Sequence, residues 1–178
     1  MQQTQEINGQ STMAEVLEAY PSAQRALFQR YHIGGCSSCG FQPDETLEEV
    51  LKNHRVLDVS GTIEFIKESQ EMDRKLQIGA VEASTLLKDG KAKLIDVRHE
   101  FEYETAHVEG SKMLTQNLMQ EMMQTWDKNE NLLFLCHHGV RSLEAAAYFV
   151  GHGFRNARSI TGGIDAWSTT VDAAVPRY

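Results

Sequence analysis

The chain has 178 residues, enough for one domain or two small ones, with the 41% hydrophobic and 24% charged residues of an ordinary globular protein. Its formal net charge of −8 argues against a nucleic-acid surface, which needs a basic face. The apolar runs are too short to cross a bilayer, and residues 1–10 lack the pattern of a signal peptide, so we expect no membrane segment. Three cysteines, an odd number, predict reactive thiols in a reducing cytoplasm rather than a disulfide framework.

The first part of the chain predicts a frayed tail and a small helical domain. Residues 1–10 are polar and are expected to be a disordered tail. Residues 11–70 predict about four short helices, two of which start with a capping-box pattern at residues 12–15 and 46–49. About 60 residues of helix form only a marginal core, and we therefore expect this helical domain to dock on a neighbour.

A domain boundary is expected after the helix at residues 61–69. Residues 71–75 are charged and are predicted to be a linker or an exposed helix end, and residues 76–178 are predicted to form a second domain in which strands and helices alternate. This alternation predicts an α/β fold with a mainly parallel sheet flanked by helices. The expected strands are 76–78, 93–97, 112–114, 132–135 and 157–160, and the expected helices are 81–88, 101–105, 117–126, 142–151 and 164–168.

Cys136 directly follows the apolar strand 132–135 and precedes a turn and a helix. A strand-to-helix turn points backbone amides and the positive end of the helix dipole inward, which stabilises a thiolate. Gly139 permits a backbone angle that bulkier residues resist, and Arg141 is able to bind loop carbonyls, a carboxylate or an anionic substrate. A buried structural cysteine is the alternative, but the turn and the arginine favour a reactive thiol.

A second group of polar residues is expected beside this cysteine. Asp96 and Arg98 end the strand 93–97, and sites in open α/β sheets form beyond the carboxyl ends of the strands. Around these two strand ends the chain resembles the rhodanese family of sulfurtransferases over about residues 76–174. The motifs that carry the resemblance are 96–98 with 102–103 and 107–111, the active-site loop 136–142, and 153–154 with 162–167; Glu109 stands where the family often has proline.

The resemblance implies a sulfurtransferase that works through a persulfide on Cys136. The donor is thiosulfate or another persulfide, and the acceptor is cyanide or a thiol of glutathione, thioredoxin or another protein. No cofactor and no metal are expected. The amides of residues 137–141 would surround the persulfide, which makes His137, His138, Gly139, Val140 and Arg141 loop and substrate-binding residues; Asp96, Arg98 and Glu102 would support the loop.

Two alternatives concern the loop itself. Related phosphatases and arsenate reductases place five residues between cysteine and arginine, whereas Cys136 and Arg141 are separated by four, which suits a sulfur atom. His137 or His138 would be a general base in a protease-like arrangement, but no oriented Asn or Asp partner is evident. We expect both histidines to shape the loop. The side chains expected to be structural are His107, Met119, Met122, Met123 and Trp167.

Cys36 and Cys39 form a Cys-x-x-Cys motif between glycines. They make a poor zinc site, because a second pair is missing and the spacing to His32 and His54 matches no finger pattern. A redox or sulfur-relay pair is the functional interpretation, and two structural thiols are the alternative. Residues 11–70 resemble a small helical domain of uncharacterised function, often carrying such a motif. The alternative function for the whole chain is a sulfur-carrier or redox-sensing module that delivers persulfide to a partner protein.

Overall fold

The computed structural model of the chain describes residues 6–34 and 40–178. It divides into two compact units, Met1–Arg74 and Lys75–Tyr178. The cysteines of the Cys-x-x-Cys motif, Cys36 and Cys39, lie outside the described residues. In the described part of the chain, none of the helices combines the length and the hydropathy needed to cross a bilayer.

The described part of the first unit contains four helices. Thr12 and Thr46 each accept a hydrogen bond from the amide of a glutamate three residues on, whose carboxylate bonds back to the threonine amide, so both predicted capping boxes are confirmed. The core is formed by apolar side chains from these helices, including Met13, Leu27 and Ile66. The helices are α1 (Met13–Ala19), α2 (Ala23–Tyr31), α3 (Leu47–Asn53) and α4 (Val59–Lys75).

The expectation of a frayed tail over residues 1–10 does not hold for its described part. Ile7 is buried in the helical core. The carbonyl of Gly9 accepts the Glu48 amide at 2.9 Å, and the Gln10 side-chain amide donates to the Glu48 carboxylate at 2.6 Å. One apolar side chain and the first turn of α3 therefore hold residues 6–10 in place, which a polar composition does not indicate.

Residues 71–75, predicted as a linker or an exposed helix end, are the end of α4. Glu71 and Arg74 form an ion pair three residues apart, which supports a helix. Asp73 is buried and accepts a hydrogen bond from Arg25 on α2, while the side chain of Gln70 accepts the Ser22 amide at 3.1 Å. The charged stretch was expected to face solvent, but one of its carboxylates is paired inside the unit.

The second unit is built on a five-stranded parallel sheet, whose strands are β1 (Gln77–Ile78), β2 (Lys93–Asp96), β3 (Lys112–Met113), β4 (Asn131–Leu135) and β5 (Asn156–Ile160). Their order across the sheet is β1-β5-β4-β2-β3. Leu133 and Leu135 of β4 pack into one apolar cluster and Leu132 and Phe134 into another, as expected for a strand buried on both faces. The predicted fold class is therefore confirmed.

Five helices accompany the strands of the second unit, close to their predicted positions. The helix after the cysteine begins at Val140, two residues before the predicted start, so Arg141 lies in its first turn. The helices are α5 (Ala80–Lys88), α6 (Glu100–Thr105), α7 (Gln116–Thr125), α8 (Val140–Gly151) and α9 (Gly163–Thr170).

Candidate active site

The site lies where β2 and β4 end side by side. Asp96 is in register with Leu135, and the amide of Val97 donates to the Leu135 carbonyl at 2.9 Å. The next residue of the β4 chain is Cys136, so the cysteine and the Asp96 region share one sheet edge. The sequence predicted this neighbourhood from the common edge of parallel strands, and the strand register confirms it.

Cys136 is held inside the turn between β4 and α8. Its residue surface is 1% exposed. Its Sγ accepts the Gly139 amide at 3.1 Å and lies 3.3 Å from the Ser142 hydroxyl. Gly139 has a φ of +99° and caps α8, so the amide points back at the sulfur only because a left-handed backbone is available there. The sulfur thus sits against a polar turn at a helix N-terminus.

Backbone amides at the start of α9, directly after the turn at Gly162, hydrogen-bond to this loop. The Ile164 amide donates to the Cys136 carbonyl at 2.8 Å, and the Asp165 amide donates to the His137 carbonyl at 3.3 Å. A Cβ on Gly163 would lie 2.3 Å from the Cys136 carbonyl oxygen, and the φ of Gly163 is +59°. A side chain is therefore excluded at Gly163 both by contact and by backbone conformation, which explains why a glycine stands there.

Arg141 connects the loop to α6. Its two terminal nitrogens each donate to a carboxylate oxygen of Glu102 at 2.7 Å. Glu102 also accepts the His99 amide at 3.1 Å. The Arg141 hydrogen bonds lower the pKa of Glu102 to about 2, against the opposing effect of burial. The carboxylate is therefore charged throughout the neutral range, and the α8 start is tied to α6.

Arg98 and Asp96 form a second ion pair whose two side chains are fully buried. Arg98 donates to both carboxylate oxygens of Asp96, at 2.6 to 3.1 Å, and to the Ala106 carbonyl at 2.7 Å. It also donates to the hydroxyl of Tyr178 and, at 3.4 Å, to the Glu102 carbonyl. Both arginines therefore hold α6, Arg98 through backbone carbonyls and Arg141 through the Glu102 side chain.

The two histidines of the loop contact each other with their rings tilted by 49°. Their ring centroids are 4.2 Å apart, and the His137 ring meets Tyr178 edge-on at 4.8 Å. Burial, followed by the charge of His138, lowers the pKa of His137. Among the residues that the structure describes, Sγ of Cys136 pairs with an amide and a hydroxyl rather than with an imidazole. This geometry fits the expectation that the histidines shape the loop.

Sequence reasoning missed three side chains of this site. Ser142 faces the sulfur, Ser159 on β5 bonds Ser142 at 2.8 Å, and Tyr178 reaches Arg98 across 80 residues of sequence. The one signal for Ser159 is a small polar residue inside a strand whose neighbours Ala157 and Ile160 are buried. For Tyr178 the local sequence holds no signal, because the contact depends on how the chain returns to the sheet edge.

The remaining side chains that the sequence singled out lie in packing or surface positions. Trp167 is buried in one core cluster and Met122 in the other, where Met119 and Met123 pack at its margin. His107 stacks on Tyr103. His54 bonds the Val50 carbonyl at 2.8 Å, and within the described residues no group of three or more His, Cys, Asp or Glu could hold a metal ion.

Comparison with known proteins places the second unit in a family. Residues 79–170 match the model of the rhodanese-like domain. The thiosulfate sulfurtransferase GlpE of Vibrio cholerae is 32% identical over 96 residues, which are 54% of this chain and 91% of that protein. The adenylyltransferase and sulfurtransferase UBA4 of Lodderomyces elongisporus is 30% identical over 173 residues, which are 90% of this chain. The chain spans only 38% of the length of UBA4.

A solved structure shows the same fold. The reduced Bacillus anthracis protein CoADR-RHD superposes with a TM-score of 0.51 at 16% sequence identity. The match covers 67% of this chain and 21% of that one. At this identity the likeness extends to the fold alone.

Proposed function

The chain belongs to the rhodanese-like family of sulfurtransferases, and from that premise we propose that it moves sulfane sulfur through a persulfide on Cys136. The donor is thiosulfate or a persulfide, and the acceptor is a thiol or cyanide. The observation that carries the proposal is the position of Sγ. Cys136 directly follows the buried strand β4, and its Sγ accepts the Gly139 amide at 3.1 Å in the turn that leads into α8. That environment favours a negatively charged sulfur.

The proposed reaction has two balanced steps. In the first, the Cys136 thiolate attacks the outer sulfur of the donor; with thiosulfate, the donor S–S bond breaks and sulfite leaves with the electron pair. In the second, an acceptor thiolate attacks the outer sulfur of the Cys136 persulfide, and Cys136 leaves as a thiolate. This is ping-pong covalent catalysis, and the same stabilisation of the thiolate serves attack and departure.

Mass spectrometry after incubation with thiosulfate tests the proposal. We expect one additional sulfur atom on the peptide that contains Cys136, lost again when cyanide or a small thiol is added. Cys136→Ser abolishes the gain at that peptide, and the variant Cys36→Ser/Cys39→Ser retains it. Absence of sulfur from the Cys136 peptide with both thiosulfate and a low-molecular-weight persulfide as donors would refute the proposal.

A second candidate, a sulfur carrier that exchanges persulfide with a partner protein, is favoured by the charges around the loop. Arg98 faces Asp96, Arg141 faces Glu102, and Arg177 donates to Asp165 at 2.8 Å. These guanidinium groups are neutralised by carboxylates, whereas thiosulfate carries two negative charges and would be held best by an unpaired one. The alternative therefore predicts slow use of thiosulfate.

Steady-state assays separate the two candidates. Rapid thiosulfate:cyanide turnover that Cys136→Ala removes supports the enzyme that acts on a small donor. A Cys136 persulfide that forms slowly from thiosulfate, yet passes rapidly to or from a protein thiol, supports the carrier.

Cys36 and Cys39 are proposed as a relay on the strength of their sequence pattern. The thiolate of one, in the same or another molecule, attacks the outer sulfur of the Cys136 persulfide and takes it, leaving the Cys136 thiolate. The other cysteine then displaces hydrogen sulfide and closes a Cys36–Cys39 disulfide. Mass spectrometry on turnover tests this relay, which fails if neither sulfur nor a disulfide ever appears on Cys36 and Cys39.

A further inference from the structure

The cysteine, two serines and a glycine form a closed ring of hydrogen bonds. The Gly139 amide donates to Sγ of Cys136 at 3.1 Å, and Sγ lies 3.3 Å from the Ser142 hydroxyl. Ser142 lies 2.8 Å from the Ser159 hydroxyl, which donates at 3.3 Å to the Gly139 carbonyl. The ring therefore starts and ends on the same residue of the loop, Gly139, and two of its members are hydroxyls that can donate in either direction.

Burial makes the direction of these bonds matter. Ser142 and Ser159 are completely buried, and Cys136 is 1% exposed. A buried hydroxyl proton without an acceptor is costly, so each serine must always donate to a neighbour. Ser142 has two possible acceptors, Sγ on one side and the Ser159 oxygen on the other.

The two charge states of the sulfur require opposite directions. When Cys136 is a thiol, the S–H donates to Ser142, Ser142 donates to Ser159, and Ser159 donates to the Gly139 carbonyl. When Cys136 is a thiolate, it needs donors, so Ser142 turns its proton to Sγ and Ser159 turns its own proton to Ser142. A bond to a charged sulfur is stronger than one to a neutral sulfur, which drives the reversal.

Every group in the ring keeps a hydrogen-bond partner when the direction of the bonds reverses. When Ser159 turns away from the Gly139 carbonyl, that oxygen still accepts the Leu143 amide at 3.2 Å. The Gly139 amide donates to Sγ in both states. Only two hydroxyl protons rotate and no heavy atom moves, which is the preorganised response that a site with a changing charge needs.

We propose that Ser142 and Ser159 are a positioning pair whose hydroxyl protons switch direction with the charge on Cys136, with Ser159 on β5 acting through Ser142. The pair stabilises the thiolate before attack and when it leaves, and it returns to its thiol-state direction when the sulfur carries no charge. The inference rests on the proposed role of Cys136 as the nucleophile, since it assigns the pair to that same sulfur.

The test is a titration of the thiol that requires no sulfur transfer. The ultraviolet absorbance of the thiolate is followed against pH, and the matching Cys136→Ser protein is subtracted, which removes the contribution of Cys36 and Cys39. Ser142→Ala removes a donor to the thiolate and moves the ionisation midpoint up by about one pH unit. Ser159→Ala leaves Ser142 with Sγ as its remaining acceptor in the ring, which favours the thiolate and moves the midpoint down by about half a unit.

Opposite signs distinguish a hydroxyl switch from a general loss of packing, which would move both variants in the same direction. The double variant must titrate like Ser142→Ala, because Ser159 acts through Ser142. Ser168→Ala is the matched control: this buried serine donates to the Val175 carbonyl at 2.8 Å and is not a member of the ring, so the midpoint of this variant stays at the wild-type value. Shifts of equal sign, no shift in Ser159→Ala, or an additive double variant would overturn the proposal. If sulfur transfer is absent but the opposite shifts are found, the switch stands and the proposed function fails.

Discussion

Two arginine–carboxylate pairs lie at the same sheet edge and differ in their surroundings. The side chains of Arg98 and Asp96 are 0% exposed, whereas those of Arg141 and Glu102 are 39% and 9% exposed. Both pairs are bidentate, and both act on α6. Arg98 donates to two backbone carbonyls, that of Glu102 in α6 and that of Ala106 directly after it. Arg141 donates instead to the side-chain carboxylate of Glu102.

The difference in burial assigns the two pairs different consequences. A buried pair that loses one partner leaves an uncompensated charge in a low-dielectric interior, which costs far more than the pair contributes. When the exposed partner of the second pair is removed, water enters its place and the remaining Glu102 carboxylate keeps the His99 amide as a donor, so the cost is smaller. We therefore expect the Arg98 pair to determine whether the second unit folds and the Arg141 pair to determine the shape of the loop around Cys136.

The largest predicted effect is on folding. Arg98→Ala should destabilise the second unit by about 3–5 kcal/mol, because Asp96 stays buried without its partner. Arg141→Ala should cost less, about 1–2 kcal/mol, because Glu102 stays mostly buried but keeps the His99 amide as a donor. Urea unfolding followed by tryptophan fluorescence measures both, since Trp126 and Trp167 are the only tryptophans of the chain and lie in the second unit.

Arg177→Ala serves as the control for this comparison. Its ion pair with Asp165 is more exposed than either of the other two, so we expect less change than in Arg141→Ala. Equal losses in Arg98→Ala and Arg141→Ala would show that burial does not separate the two pairs.

Local patterns in the sequence were sufficient for the elements and for the centre of the site. Capping boxes at Thr12 and Thr46, the alternation of strands and helices, and the shared edge of Asp96 and Cys136 all depend on neighbouring residues or on a general rule of parallel sheets. Their physical causes act within a few residues, so a single sequence reveals them.

What the sequence did not reveal depends on contacts between distant segments. Asp73 belongs to the charged stretch that was expected to face solvent, whereas in the structure it accepts a hydrogen bond from Arg25. Ser159 is 17 residues from Ser142. The two come together because β5, which carries Ser159, pairs with β4, the strand that leads into α8 and Ser142. A buried polar side chain shows its partner only after the fold has brought the two together, which is why charge and hydroxyl pairs were the main omissions.

The next largest effect is expected on transfer rather than on stability. Arg141→Ala should slow formation of the Cys136 persulfide by about 10- to 100-fold, because the start of α8 and the Gly139 amide lose their attachment to Glu102. Arg141→Lys keeps the charge but loses the bidentate geometry, so we expect an intermediate rate. Mass spectrometry of the Cys136 peptide in samples quenched at successive times gives the rates. A rate unchanged in Arg141→Ala would show that the loop holds its shape without the pair.

A smaller effect is predicted for acid. The pKa of Glu102 is lowered to about 2, below its unfolded value, so its bond to Arg141 contributes stability above the unfolded pKa and loses it as the pH falls through about 2. At pH 6 the wild type should be more stable than Glu102→Gln by about 1–2 kcal/mol, a figure kept low by the partial exposure of Arg141. This difference should narrow steadily from pH 5 to pH 2 and shrink with added salt. A constant difference across that range would mean that the charge of Glu102 does not stabilise the loop.

The smallest effect tests the outer end of the buried pair. Tyr178→Phe removes the hydroxyl that accepts from Arg98 but leaves the ring against His137 and all the bonds to Asp96. We expect a loss of about 0.5–1.5 kcal/mol in the tryptophan-monitored unfolding, because one hydrogen bond of a charged group is lost at a half-exposed position. Tyr148→Phe, at a similarly exposed tyrosine on α8, is the matched control and should change stability less. If Tyr178→Phe approaches the loss expected for Arg98→Ala, then the hydroxyl and not Asp96 is the main partner of Arg98, and burial of the carboxylate is not what sets the two pairs apart.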